Sequence, residues 1–264
     1  MAMLLNGHKG VFSIFFALAV FVLIGFRDYS EAYDFAGWEQ GAAGYEKAEK
    51  AARDSEEPLI VYFYTSWCGY CKKLDKTYLS SADVQSVLEP IRKVAIDPEK
   101  GSADRTLQIT YGVRGFPAFF VTIPGLGSPP VQVHPFMMRG SMSTADFSKA
   151  IKMVIGRQYN NKGVSLVNEK NFEQALGYLD KALSFYDGNP DLYYNRGQVY
   201  YELAQKPKDL SLLTKAEESY QAALTIDGNH QRSQEALARV RKSRSQWEEE
   251  KLSSSSLPSS APQR

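Results

Sequence analysis

Residues 59–72 read LIVYFYTSWCGYCK, and this stretch decides how the first half of the chain folds. Its first six residues, 59–64, form a continuous apolar run rich in β-branched and aromatic side chains, which is typical of a strand buried on both faces. Cys68 and Cys71 follow directly, and they are the only cysteines in the chain. The stretch therefore predicts a buried strand that leads into a Cys-x-x-Cys pair at the start of a helix.

Two thiols at this spacing are suited to thiol–disulfide exchange. A thiolate attacks a disulfide sulfur and forms a mixed disulfide, which a second nearby thiol then resolves. Where the pair opens a helix, unpaired backbone N–H groups and nearby cations lower the pKa of the first thiol from ~8.5 towards neutrality. The second thiol lies one turn lower and is more buried. We therefore predict that Cys68 is the attacking nucleophile and Cys71 the resolving thiol.

The rest of the composition excludes other classes of site. A closed zinc site needs four ligands, but the only histidines are His8, His134 and His230, and they are scattered along the chain. The 31 Lys and Arg residues nearly balance the 30 Asp and Glu residues, so no overall positive field attracts a nucleic acid. We predict no metal, no cofactor and no nucleic-acid partner.

Between residues 34 and 156, helical and strand patterns alternate. The predicted elements are helix 34–54, strand 59–64, helices 72–79 and 81–89, strand 91–97, helix 102–111, strands 117–123 and 131–137, and a helix that begins at Ser143 or Thr144 and ends at 155 before Gly156. This order predicts an α/β domain over residues 33–156 with mixed strand directions.

Two separated motifs in this domain resemble those of thioredoxin-like proteins. WCGYCK at 67–72 follows a buried strand, as the family motif does, and GVRGFP at 112–117 matches the family's Gly-x-Arg-Gly-x-Pro segment. The resemblance covers about residues 35–156. It implies a thioredoxin-like fold and thiol–disulfide oxidoreductase activity on protein thiols or disulfides, served by an upstream redox partner.

The resemblance also implies roles for residues around the pair. Pro117 would have a cis peptide bond beside the cysteines and turn the backbone of Phe116 towards an extended substrate segment, although a trans proline that begins a strand is the alternative. Trp67 would either shield the reactive sulfur or pack on the domain, and Lys93 matches a family lysine near the buried pocket. The chain departs from the family at Tyr62, where typical thioredoxins carry a buried Asp that assists proton removal from the resolving thiol.

Beyond residue 156 the pattern becomes helical only. Tyr159 and Gly163 recur 34 residues later as Tyr193 and Gly197, and small residues recur in the intervening helices. This pattern resembles the tetratricopeptide repeat, in which Gly and Ala allow neighbouring helices to lie close together. The resemblance implies a helical repeat domain over residues 157–252; an ordinary pair of helical hairpins is the alternative.

The two ends of the chain predict location and disorder. Residues 10–26, GVFSIFFALAVFVLIGF, follow Lys9 and read as an export signal of about 17 residues. Residues 1–32 would be an uncleaved membrane anchor or a removed signal peptide, with a buried core helix as the remaining alternative. Either main reading places the body of the chain outside the cytoplasm. A bacterial cell envelope suits this prediction, with the protein anchored facing the periplasm or exported. The Ser- and Pro-rich tail, 253–264, is predicted to be disordered.

These features favour an exported or membrane-anchored oxidoreductase whose helical repeats bind a protein substrate. The alternative is a redox-inert assembly scaffold in which the repeats supply the activity. Its candidate groove residues are Asn160, Asn161, Asn195 and Arg196, for each of which a solvated surface position is the alternative.

Overall fold

The computed structural model describes residues 35–137 and 140–255, so the predicted signal or anchor at 1–32 lies outside it. Within the described residues, no helix is both long and apolar enough to cross a bilayer. The elements, in chain order, are β1 (Glu39–Gln40), α1 (Gly41–Ser55), β2 (Leu59–Phe63), α2 (Gly69–Leu74), a π-helical turn (Asp75–Leu79), α3 (Ala82–Leu88), β3 (Arg92–Ile96), α4 (Ser102–Thr110), β4 (Ala118–Thr122), β5 (Val131–Gln132), β6 (Phe136–Met137), β7 (Gly140–Ser141), α5 (Thr144–Asn168), α6 (Phe172–Phe185), α7 (Pro190–Gln205), α8 (Leu210–Ile226) and α9 (Gln231–Ser255).

The first half of the chain is built around a five-stranded sheet of order β1-β3-β2-β4-β5. The central strand β2 runs parallel to β3 and antiparallel to β4, with Val61 opposite both Val94 and Phe120. Every residue of β2 and β4 is buried, as expected for strands with apolar side chains on both faces. The predicted α/β domain with mixed strand directions is therefore confirmed.

The first predicted helix begins later than expected. Glu39 and Gln40 pair in parallel with Val94 and Ala95, so their backbone is extended instead of helical. Gly41 then turns the chain into α1 with a φ of +66°, a conformation that glycine adopts without the penalty other residues incur.

The prediction of one strand over 131–137 is wrong. The ladder between β4 and β5 ends where the N–H of Val133 donates to the carbonyl of Phe119 at 2.8 Å. Pro135 has no N–H to continue it. The chain instead forms a second, two-stranded sheet in which Phe136 pairs with Ser141.

The prediction that a helix ends before Gly156 is also wrong, because α5 continues for a further three turns. The helix begins as expected, with the hydroxyl of Ser143 accepting a hydrogen bond from the N–H of Asp146 at 3.0 Å. A Cβ at position 156 would lie 3.2 Å from the carbonyl oxygen of Ala182 and 3.3 Å from Cβ of Tyr186. Gly156 thus permits a close helix crossing, at a propensity cost of about 1 kcal/mol. The sheet domain and the helical region share one helix.

The second half of the described chain consists only of helices, as predicted. The glycines of the repeated pattern lie where helices cross: a Cβ at Gly163 would be 2.9 Å from Cγ of Leu179, and one at Gly197 would be 2.6 Å from Cε1 of Tyr220. The final helix α9 continues to Ser255, so the first three residues of the predicted disordered tail are helical. The remainder of that tail, 256–264, lies outside the described residues.

We expect Gly197→Ala to destabilise the helical region by about 1–3 kcal/mol, because the added methyl group overlaps the buried ring of Tyr220. The matched control is Gly177→Ala in α6, where nothing lies within 4 Å of the added carbon. That change is expected to stabilise the protein by about 1 kcal/mol through helix propensity. Urea unfolding followed by circular dichroism measures both, and shifts of the same sign would contradict the close crossing.

The helical region is attached at the end of the sheet where β2 begins and β4 ends. The buried side chain of Gln158 accepts from the N–H of Ile123 at 2.9 Å and donates to the carbonyl of Val121 at 3.2 Å. Because β2 and β4 are antiparallel, these residues lie beside the start of β2, where Leu59 faces Thr122. Cys68 follows the other end of β2, away from these two hydrogen bonds.

Glu56, in the turn before β2, makes a second attachment. The hydroxyl of Tyr159 donates to its backbone carbonyl at 2.8 Å, and the hydroxyl of Tyr178 donates to its carboxylate. Burial, with the nearby acidic groups adding to it, raises the pKa of both tyrosines to about 12. Both hydroxyls therefore remain protonated donors at neutral pH.

Candidate active site

A short loop connects the end of β2 to the start of α2 and places Cys68 at the first turn of that helix. The N–H of Tyr64 still bonds to β3, donating to the carbonyl of Ile96 at 3.1 Å, and the N–H of Cys68 then closes a turn on the carbonyl of Thr65 at 3.1 Å. Cys68 is the N-cap residue of α2. The helix therefore begins three residues earlier than the predicted 72–79, with Cys68 as its cap and Cys71 in its first turn.

Cys68 and Cys71 form a disulfide, with the two Cα atoms 5.2 Å apart. The N–H of Cys71 also donates to Sγ of Cys68 at 3.0 Å. A donor in this position stabilises negative charge on that sulfur when the pair is reduced. The arrangement can therefore hold one sulfur as a thiolate with a second sulfur within bonding reach.

The first cysteine is the more exposed, as predicted, but the difference is small. Cys68 is 4% exposed and Cys71 is fully buried. The sulfur of Cys68 is drawn against the first turn of α2 because it is bonded to Cys71 and accepts the N–H of that residue. In this oxidised form it does not face solvent as openly as the sequence suggested.

An aromatic pair beside Cys68 consists of Trp67 and Phe116. Trp67 is 67% exposed; its indole N–H donates to the carboxylate of Glu99 at 3.0 Å, and its ring meets that of Phe116 edge to face at 6.2 Å. Asp97, at the end of β3, fixes Glu99 by accepting its N–H at 3.1 Å. The peptide bond between Phe116 and Pro117 is cis, not the alternative trans. The motifs at 67–72 and 112–117 thus meet in space.

A second aromatic pair was not found from the sequence. The ring of Tyr70, 63% exposed, lies 5.6 Å from that of Phe136 in β6. Phe136 also meets Tyr78 edge to face at 5.5 Å, and the ammonium of Lys73 lies 5.5 Å from its centroid. Pro135 is the sequence feature that could have indicated this contact, because a proline interrupts the predicted strand and Phe136 then lies in a separate hairpin.

Behind the disulfide, an aromatic cluster occupies the position where the related family carries a buried carboxylate. Tyr62 is fully buried, its hydroxyl lies 3.5 Å from the carbonyl oxygen of Cys71, and its ring packs beside those of Phe35, Trp38 and Tyr64. No carboxylate side chain is therefore contributed from this position of β2.

Lys93 lies at the other end of the same face of the sheet. Its ammonium donates to the carbonyls of Leu88 and Ile91 at 3.1 and 3.3 Å, just beyond α3. Burial lowers the pKa of Lys93, an effect that the charge of Glu89 opposes. Neither hydrogen bond involves the disulfide, so a supporting role for Lys93 in the chemistry stays a prediction.

The candidate groove residues of the helical region bond mainly to one another or to their neighbours. The amide of Asn195 in α7 donates to that of Asn160 in α5 at 2.8 Å. Arg196 reaches Asp180 at 3.4 Å and Ser219 at 3.3 Å. Across residues 35–137 and 140–255, no group of three or more His, Cys, Asp or Glu side chains is placed to hold a metal ion.

The sheet domain is similar in sequence to a known family of domains. Residues 45–155 match the family model described as a thioredoxin-like domain, and the chain therefore contains a thioredoxin-like domain followed by an all-helical region.

Two curated relatives illustrate the match. A mitochondrial thioredoxin domain-containing protein of Schizosaccharomyces pombe is 34% identical over 115 residues, which is 43% of this chain and 29% of that protein. Protein disulfide-isomerase like 2-2 of Arabidopsis thaliana is 33% identical over 111 residues, 41% of this chain and 23% of that protein. The chain thus spans less than a third of the length of these two relatives. A solved thioredoxin from Thermus thermophilus is 24% identical, with a TM-score of 0.36, covering 45% of this chain and 87% of its own.

Proposed function

We propose that this protein is a thiol–disulfide oxidoreductase that acts on protein thiols and disulfides through Cys68 and Cys71. The observation that carries the proposal is the disulfide at the start of α2, with the N–H of Cys71 directed at the sulfur of Cys68. The match of residues 45–155 to a thioredoxin-like domain supports it.

The chemistry balances as two successive exchanges. In the reducing direction, the Cys68 thiolate attacks a partner disulfide, forming a mixed disulfide and releasing one partner thiolate. The Cys71 thiolate then attacks Sγ of Cys68, which re-forms the internal disulfide and releases the second partner thiolate. Two electrons pass from the pair to the partner, so an upstream dithiol must reduce the pair again; the reverse sequence oxidises a partner dithiol and needs an upstream oxidant.

The direct test is capture of the mixed disulfide. In Cys71→Ala the resolving sulfur is absent, so we expect a protein bearing an accessible disulfide to remain bonded to Cys68 and to be released by dithiothreitol. Non-reducing electrophoresis followed by mass spectrometry identifies the bonded cysteine. Failure of the wild-type protein to exchange any peptide disulfide, together with an empty trap, would favour the redox-inert scaffold.

The helical region, in this proposal, binds the protein partner in the manner of tetratricopeptide repeats. The support is the position of Gly163 and Gly197 at equivalent helix crossings, 34 residues apart. The helices are attached beside the start of β2, and Cys68 follows the other end of that strand.

We also propose that the protein is exported to, or anchored in, a bacterial cell envelope with Cys68 facing the periplasm. This rests on the apolar residues 10–26 and the preceding Lys9. Expression in a bacterium, with a membrane-impermeant maleimide applied to intact cells after reduction, should label the cysteine pair. Labelling only after lysis would contradict export.

A further inference from the structure

We propose that Tyr70 and Phe136 form a specificity wall beside Cys68, which selects extended polypeptide segments carrying an apolar side chain next to their reactive cysteine. The inference rests on the proposed oxidoreductase function and names the substrate class of that site. The occupant is a partner segment during the mixed-disulfide step.

Within the part of the chain that the structure describes, the most exposed aromatic side chains lie next to the disulfide. Among the residues that the structure describes, Trp67 and Tyr70 are the two aromatic side chains that lie mostly in solvent, at 67% and 63% exposure. Both are within two residues of Cys68. Exposed aromatic rings are costly in water and are typical of surfaces that contact a partner.

Contacts within the protein hold the two rings of the wall, Tyr70 and Phe136, in position without a bound partner. Phe136 contacts Tyr70, Tyr78 and the ammonium of Lys73, each at 5.5–5.6 Å. Tyr78 in turn donates its hydroxyl to the carbonyl of Met142 at 2.7 Å, which fixes the chain just after the β6–β7 hairpin. A preorganised surface gives up less conformational entropy when it binds.

The covalent chemistry brings a partner onto this surface. To exchange, the partner's sulfur must reach bonding distance of Sγ of Cys68, so the residues flanking its cysteine contact the rings that adjoin the disulfide. Apolar flanking residues gain by covering these rings. A flanking Lys or Arg is disfavoured, because the ammonium of Lys73 already lies over Phe136 and repels a second cation.

The test compares two disulfide-linked peptides that differ only in the residue preceding the cysteine, Leu in one and Lys in the other. We expect wild-type protein to reduce the Leu peptide roughly ten-fold faster, the discrimination typical of one apolar contact. Phe136→Ala and Tyr70→Ser, a change at an exposed side chain, should each bring the ratio of the two rates close to one. The matched control is Met153→Ala, an exposed apolar residue of α5, which should keep the wild-type ratio.

The measured quantity is the ratio of the Leu-peptide rate to the Lys-peptide rate within one variant. A general loss of activity lowers both rates together and leaves this ratio unchanged. A preserved ratio in Tyr70→Ser, whose side chain is exposed and whose replacement leaves the core intact, would overturn the wall even if Phe136→Ala failed to fold. Active wild-type protein with no preference would overturn this inference alone. Wild-type protein that exchanges neither the peptides nor dithiothreitol would overturn the proposed function as well.

Discussion

Replacing Cys68 by Ser should reduce disulfide exchange to the uncatalysed background, a loss of about three orders of magnitude or more, because a hydroxyl is not ionised at neutral pH and cannot form the mixed disulfide. The remaining thiol, Cys71, is fully buried and cannot replace it. Reduction of an insulin or peptide disulfide by dithiothreitol, with the protein as catalyst, measures the effect.

Cys71→Ser is the matched control for that experiment, since it removes the other sulfur of the same pair. Reduced beforehand and mixed with a peptide disulfide in the absence of dithiothreitol, it should react once and remain bonded to the peptide, whereas wild-type protein releases both peptide thiols. If Cys68→Ser gave the stable mixed disulfide instead, the assignment of the attacking and resolving thiols would be reversed.

Replacing Gln158 by Leu should destabilise the protein by about 2–5 kcal/mol. Its amide satisfies the N–H of Ile123 and the carbonyl of Val121, and both of these residues are fully buried. An orphaned buried polar group costs about 1–3 kcal/mol, and Leu would leave two of them inside the structure. The free energy of unfolding in urea, followed by circular dichroism and by tryptophan fluorescence, measures the loss.

Gln221→Leu supplies the control, because Gln221 is exposed on α8 and the same change there should alter stability by no more than about 0.5 kcal/mol. Similar small effects for both variants would mean that Gln158 does not tie the helical region to the sheet.

The parts of the fold predicted from sequence are those set by neighbouring residues. The apolar run at 59–64 is stable in water only when both of its faces are covered, as they are in a buried strand. Cys68 and Cys71 are close because one helix turn separates them. Local patterns therefore identified the central strand, the cysteine pair and the helical second half.

The missed features depend on residues distant in the chain. Whether Gly156 ends a helix or permits a crossing is decided by Ala182, and sequence periodicity does not reveal that neighbour. The contact between Tyr70 and Phe136 likewise exists only because Pro135 diverts the chain into a separate hairpin. Gln158 lies on the buried face of α5, and its partners are Val121 in β4 and Ile123 just after it, 37 and 35 residues away in the chain.

The shared helix α5 fixes a length scale for recognition. It has 25 residues, so it extends for roughly 37 Å as one rod from the sheet into the helical region. A partner bound by those helices, as proposed above, would present to Cys68, at a high local concentration, the cysteines that lie at a matching distance from its bound segment, whereas cysteines much closer or farther would gain little from that binding. The chain would in this way act as a ruler, choosing among the thiols of one partner by their position.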